Sequence, residues 1–297
     1  MPHAFSLLAL DLDGTVFDRT GHVPAENVAA IRRAREAGFR VVICTGRGLV
    51  ECIDGLVAID QRDPVVVAGG SIIADPISRR TLHRFNIHHE LVAHAVRIVN
   101  AAGHAALVLK DPLEAGFDYL VVNPDGCELD PVTKWWFAKM KVNVQYAASL
   151  AHDPVPQATV RVGACGLGHV LDRARSQLET ILGEDAVIHN FPAVVAPEHV
   201  KTLGDGQTLN ILELFDKDAT KWTAIQHLAR QWEIKPSAIV AIGDEINDVS
   251  MIQGAGLGIA MGNAIPAVKS IAKHTTRRND EAGVAHAIDQ VLSGVWG

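Results

Sequence analysis

Cysteine is scarce in this 297-residue chain, and its four thiols, Cys44, Cys52, Cys127 and Cys165, form no CxxC pair and no framework spacing. That argues against a disulfide-stapled scaffold and, with no basic and apolar leader at the start, leads us to expect a reducing cytoplasm. No apolar run approaches the roughly 20 residues a membrane span needs. No basic run exceeds the pairs Arg32-Arg33 and Arg277-Arg278, and the net charge is −7, so nucleic acid is not an expected partner. No internal repeat or low-complexity tract occurs. The phosphate loop GxxxxGK[ST] is missing, and the glycines Gly254, Gly256, Gly258 and Gly262 do not complete GxGxxG. These absences exclude P-loop nucleotide chemistry and leave those glycines to tight turns.

What the chain does have is core material. Its apolar content is 48%, with charged residues at 21% and a mean hydropathy of +0.15. The length exceeds the usual single domain and falls short of three, so one large domain plus a smaller one is expected. Short apolar runs at 5–10, 40–44 and 65–68 alternate with a helical pattern at 25–37, the rhythm of a parallel sheet buried on both faces. After Gly69-Gly70-Ser71 that rhythm breaks. A helix at 91–102 is followed by closely spaced strands at 106–109, 119–122, 158–162 and 187–190, with a helix through Val170, Leu171, Ala174, Leu178 and Ile181 between the last two. The alternating rhythm is expected to resume with 209–214, a helix at 219–232, and strands at 239–242 and 257–260, ending in a helix at 281–292. The predicted architecture is α/β: a doubly wound, Rossmann-like parallel-sheet core from 1–84 and 196–297, with an α+β cap inserted at 85–195.

Ligands of doubly wound sheets bind beyond the carboxyl ends of the strands, and three strand ends here are unusual. The first runs into Asp11-Leu12-Asp13-Gly14-Thr15, the second into Thr45-Gly46-Arg47, and a late one into Gly243-Asp244 with Asn247 and Asp248 beyond. In extended chain Asp11 and Asp13 would face the same way, giving four carboxylates near one rim with Asp244 and Asp248. Such repulsion calls for a cation, and an all-oxygen site suits Mg2+ better than Zn2+. The metal could neutralise a phosphate oxygen while one carboxylate attacks phosphorus and the second handles the leaving group's proton. The plainer alternative makes Asp11, Asp13 and Gly14 a turn and Asp248 a helix cap. Lys221 adds a clue: a cation in the first turn of a helix opposes the helix dipole unless it and the nearby N–H groups hold an anion, although an exposed, solvated lysine is the simpler alternative.

These segments together resemble the haloacid dehalogenase-like superfamily, specifically its Cof-type phosphatases with an α/β cap inserted after the third strand, and the resemblance spans nearly the whole chain. Asp11 to Thr15 is similar to the first family motif, Thr45-Gly46-Arg47 to the second, Lys221 to the third, and Gly243 to Met251 to the fourth. The resemblance implies Asp11 as nucleophile and Asp13 as general acid/base. It implies Leu12, Thr45, Gly46, Lys221 and Asn247 around the phosphate, and Mg2+ held by Asp11, the Asp13 backbone carbonyl and Asp244 with Asp248 in support. The segments 260–264 and 279–288 are expected to serve packing alone. Two departures from the family pattern, Gly69-Gly70 in place of Asn-Gly and Trp222 directly after the lysine, touch the shape of the cleft rather than its reacting groups.

The function implied is a Mg2+-dependent phosphatase acting on a small phosphorylated metabolite, a sugar phosphate or related phosphomonoester, through an aspartyl-phosphate, with no membrane partner. The alternatives are a phosphomutase of the phosphomannomutase type and a non-catalytic phosphometabolite sensor; retention of both Asp11 and Asp13 favours turnover. His83, His88, His89 and His94 form no ligand quartet. Trp135, Trp136 and Phe137 are expected to anchor a small core rather than stack on a ligand. The sequence carries no signal of oligomeric state.

Overall fold

The structure, a computed structural model, describes residues 4–126, 129–193 and 209–297. In chain order its strands are β1 (Leu7–Leu10), β2 (Arg40–Ile43), β3 (Val65–Val67), β4 (Ile72–Ala74), β5 (Thr81–Arg84), β6 (Ala106–Lys110), β7 (Tyr119–Val122), β8 (Val144–Ala147), β9 (Thr159–Leu167), β10 (Ala186–Pro192), β11 (Leu209–Asp216), β12 (Ile239–Gly243), β13 (Leu257–Ala260) and β14 (His274–Thr275). Its helices are α1 (Ala25–Glu36), α2 (Leu49–Ala58), α3 (His89–Ala101), α4 (Pro112–Ala115), α5 (Pro131–Met140), α6 (Gly168–Leu182), α7 (Lys221–Gln231), α8 (Val249–Gly254), α9 (Pro266–Ile271) and α10 (Gly283–Leu292). Two compact units result, 1–83 with 220–297, and 84–219.

In the first unit, Leu7, Leu8, Ala9 and Leu10 are all buried, so β1 has no polar face and must lie in the middle of a covered sheet. It does: the order is β14-β13-β12-β1-β2, all parallel, and an isolated parallel bridge from Cys44 to Val66 carries the sheet on to β3. The chain then leaves through a β3-β4-β5 ribbon in which β4 runs antiparallel to β3. The sequence patterns give β3 but miss β4, β5 and α2.

The second unit is a six-stranded sheet of order β10-β11-β9-β6-β7-β8, antiparallel except for β7 against β8. Alternate residues Val108, Leu120, Val122, Val162, Ala164, Leu212 and Leu214 meet Leu91, Val92, Val96 and Val99 of α3 and Leu171, Leu178 and Leu182 of α6. One correction to the sequence reading is needed. The run 209–214 was expected to re-enter the core sheet, but it pairs with β9 and β10 and belongs to the second unit. Its apolar pattern suits either sheet, because hydrophobicity specifies that a strand is buried and not which neighbour it finds. The return to the core expected at 196 lies outside the described residues.

Of the three consecutive aromatics, only Phe137 is buried, tilted against Tyr119 at 5.0 Å; Trp135 and Trp136 stay half-exposed on α5. Among the described residues no helix is long and apolar enough to cross a membrane.

Candidate active site

Because β1 lies between β12 and β2, with Leu10 paired to Ile242 on one side and Ile43 on the other, the three polar strand ends are forced side by side. Asp11 continues β1, its N–H donating to the Ile242 carbonyl at 3.0 Å, with Asp244 just past β12 and Thr45 just past β2. The chain then turns sharply over 12–16. Gly14 takes φ +76°, and a Cβ there would lie 2.2 Å from Asp244 Oδ2, so glycine alone fits.

Carboxylate oxygens of Asp11, Asp244 and Asp248 converge to within 4.8 Å of one another. One cation stands among them. Lys221, the first residue of α7 behind the Thr220 cap, is fully buried and donates to Asp11 Oδ1 at 2.6 Å, Asp248 Oδ1 at 2.5 Å and Asn247 Oδ1 at 3.4 Å. The exposed-lysine alternative is thereby overturned: the side chain folds inward because the carboxylates repay its desolvation. Asp248 is spent on scaffolding as well, its Oδ2 accepting the N–H groups of Asp244 at 2.8 Å and Glu245 at 3.0 Å.

Two buried carboxylates and one half-buried one face a single ammonium, an excess of acid over base. Burial, followed by repulsion from Asp248, holds the Asp11 carboxyl well above the usual range despite Lys221. The same two causes push Asp244 up to about 8, against the opposing hydrogen bond from Thr15. Burial works against the charge on Lys221, yet Asp11 and Asp248 outweigh it and hold the ammonium protonated. A hard divalent cation among these oxygens would reverse the shifts of both acids, so the donor set fits such an ion.

The Asp13 side chain stands outside the triad of converging carboxylates, though near enough to Asp11 to repel its charge. It pairs with Arg47, whose Nε donates to Oδ2 at 2.7 Å and Nη2 to Oδ1 at 2.5 Å. Thr45 is fully buried, its Oγ1 accepting the Arg47 N–H at 3.1 Å. Gly46 lies opposite the Asn247 amide, which would be 3.5 Å from an added Cβ. Leu12 is buried at the start of the turn. Gly70, at φ +116°, lets the backbone press against Thr220 and Lys221, where a Cβ would come within 2.2 Å. Trp222 lays its ring on Gly254 of α8.

Sequence reasoning left three polar residues of this site without a role. Thr15 Oγ1 donates to Asp244 Oδ1 at 2.8 Å. Asn263 Nδ2 donates to the Gly14 carbonyl at 2.8 Å and Asp244 Oδ2 at 3.2 Å, so the segment 260–264, expected only to pack, orients an acid of the cluster. Arg47 is the third. Thr15 and Arg47 stand inside the motifs quoted above, but nothing in the sequence marks Asn263 as reaching the site.

The chain is similar to known proteins in sequence and in fold. A sequence profile described as haloacid dehalogenase-like hydrolase matches residues 8–119 and 187–288. The chain is 30% identical to the 5-amino-6-(5-phospho-D-ribitylamino)uracil phosphatase YwtE of Bacillus subtilis, over 97% of this chain and 99% of that protein. It is 25% identical to the pyridoxal phosphate phosphatase YbhA of Escherichia coli, over 95% and 97% respectively. Among solved structures, a haloacid dehalogenase-like hydrolase from B. subtilis superposes with a TM-score of 0.76 at 25% identity, covering 96% of this chain and 99% of that one.

Proposed function

The chain belongs to the haloacid dehalogenase-like hydrolases, and from that membership we propose that it is a phosphomonoester hydrolase of the Cof type, using Mg2+ and passing the phosphoryl group of a small metabolite through Asp11 to water. The observation that carries the proposal is the asymmetric hold on Asp11. Lys221 grips Oδ1, and among the described residues no hydrogen bond reaches Oδ2, so one oxygen of a buried carboxylate is left for attack on phosphorus.

In the first step an Asp11 oxygen bonds to phosphorus as the bond from phosphorus to the leaving oxygen breaks, and Asp13 gives that oxygen a proton. In the second step Asp13 takes a proton from water as the water oxygen attacks phosphorus, releasing phosphate and regenerating the Asp11 carboxylate. Thr45, Lys221, Asn247 and the backbone of Leu12 and Gly46 would bind the phosphate oxygens, with Lys221 countering the charge that develops there. Asp11, the Asp13 carbonyl and Asp244 would hold the ion, with Asp248 behind them. Bound there, Mg2+ would supply positive charge to a phosphate oxygen.

Both relatives named above carry the names of phosphatases of small phosphate esters, which supports a metabolite-sized substrate such as a sugar phosphate or related phosphomonoester. Free thiols at Cys44, Cys52 and Cys165 support a reducing, cytoplasmic setting. The test is to incubate the chain with Mg2+ and a panel of sugar phosphates, nucleotides and phosphorylated cofactors. Phosphate release with a phosphoryl adduct on Asp11 in quenched samples is expected. An isomerised ester without phosphate would indicate a mutase instead, and no reaction anywhere in the panel would defeat the hydrolase proposal.

A further inference from the structure

The two partners of the Arg47 and Asp13 pair are unequally held. Arg47 is fixed from several sides. Its Nη1 donates to the Glu51 carbonyl at 3.0 Å, its guanidinium carbon lies 5.1 Å from the centroid of the Phe17 ring, and its own carbonyl accepts the Ala68 N–H at 2.7 Å. Glu51 is itself locked, its Oε2 accepting the Gly48 N–H at 2.6 Å at the start of α2. Asp13 sits on the turn after β1 with its side chain 37% exposed, against 12% for Arg47. A planar fork bonded to both oxygens fixes distance and rotation together, which a lysine cannot do.

From this we infer that Arg47 is a positioning residue for the proposed reaction: it holds the Asp13 carboxyl in one orientation for proton transfer and is not itself a ligand of the phosphate. The inference rests on the hydrolase proposal. It has a consequence that a purely structural role would lack, because proton donation matters only to a leaving group that needs it. The quantity kcat/KM reports events up to expulsion of the alcohol, so it isolates the step in which Asp13 acts as acid.

The experiment compares the parent, Arg47→Ala and Arg47→Lys, with Mg2+, on p-nitrophenyl phosphate and on an alkyl phosphate that the parent hydrolyses, with inorganic phosphate as competitive inhibitor. For Arg47→Ala we expect kcat/KM to fall about 30-fold or more on the alkyl ester and less than about 3-fold on the aryl ester, a share of the roughly 10²–10⁴-fold that positioned acid–base groups supply. The inhibition constant of inorganic phosphate should stay within about twofold of the parent's, as expected of a residue that makes no contact with the phosphate. Arg47→Lys keeps the charge but loses the fork, and should show the same leaving-group selectivity at smaller amplitude; it serves alone if the alanine variant does not fold. Equal losses on both esters, or a phosphate inhibition constant raised more than about tenfold, would overturn the positioning role and leave the hydrolase proposal standing. A parent chain that releases phosphate from no phosphomonoester would overturn the two together.

Discussion

Both sheets of this protein bury charge, but they balance it differently. In the second unit two buried cations each have an acid of their own. The buried Lys110 ammonium donates to Asp153, to Thr159 Oγ1 at 2.7 Å and to the Val155 carbonyl at 3.2 Å, while Arg161 donates to Glu213 at 2.5 Å and to the Tyr119 hydroxyl at 2.6 Å. In the first unit the three acids Asp11, Asp244 and Asp248 converge around one ammonium, Lys221, which bonds to Asp11 and Asp248. Matched buried pairs tie strands and loops in place, and hydrophobic residues of similar volume can often replace them. An unmatched cluster at the carboxyl ends of a parallel sheet is expensive to fold and has value only when something positive arrives.

The largest effect should come from removing the attacking oxygen. Asp11→Asn should cut phosphate release by at least about 10³-fold, since nucleophile losses in comparable enzymes reach further; steady-state turnover with Mg2+ measures it. Next, Lys221→Met strips the cluster of its cation and should cost about 3–5 kcal/mol, as breaking a buried pair does, with Mg2+ restoring part of the loss. The loss is large because Lys221 is fully buried. Lys110→Met should cost a similar amount with no recovery by Mg2+, and adding Asp153→Leu should return much of it. Thermal melts with Mg2+ and with EDTA separate the two units in this respect.

A smaller effect is expected from pH. Asp244 is pushed up to about 8, so without metal the folded state binds a proton there that the unfolded chain has released. Stability of the EDTA-treated protein should therefore fall as pH rises from about 4 to about 8, because the slope follows the excess of protons on the folded side. Mg2+ should flatten that fall, and melts at stepped pH would show it. Smallest of all is a kinetic effect: burial pushes the Cys44 and Cys52 thiols up, so both should resist alkylation in the folded protein at neutral pH and react once it is unfolded.

The parallel sheet was legible because strands such as β1 and β12 are apolar throughout and end in acids, a combination that places both the strand and the crevice. Asp11, Asp244 and Asp248 could be nominated on that ground, Thr45 as the polar end of β2, and Lys221 separately as a cation in the first turn of a helix. The allegiance of β11 was not legible, since Leu209 to Asp216 would suit any covered sheet. Nor was the pairing of Asp13 with Arg47, which depends on the turn at Gly14 and on the anchoring of α2 by Glu51, contacts between residues 34 apart that no local pattern encodes. Asn263 escaped for the same reason, reaching Gly14 across 249 residues of chain. Hydrophobic periodicity reports burial, whereas side-chain pairing across a crevice is set by tertiary geometry.

The most direct measurement is phosphate release from a phosphomonoester substrate by the parent chain, first stripped with EDTA and then supplied with increasing Mg2+. The expected result is no turnover in EDTA and saturable recovery with Mg2+; undiminished turnover in EDTA, or none with any divalent cation, would contradict the assignment of Asp11, Asp244 and Asp248 to a cation-dependent phosphatase site.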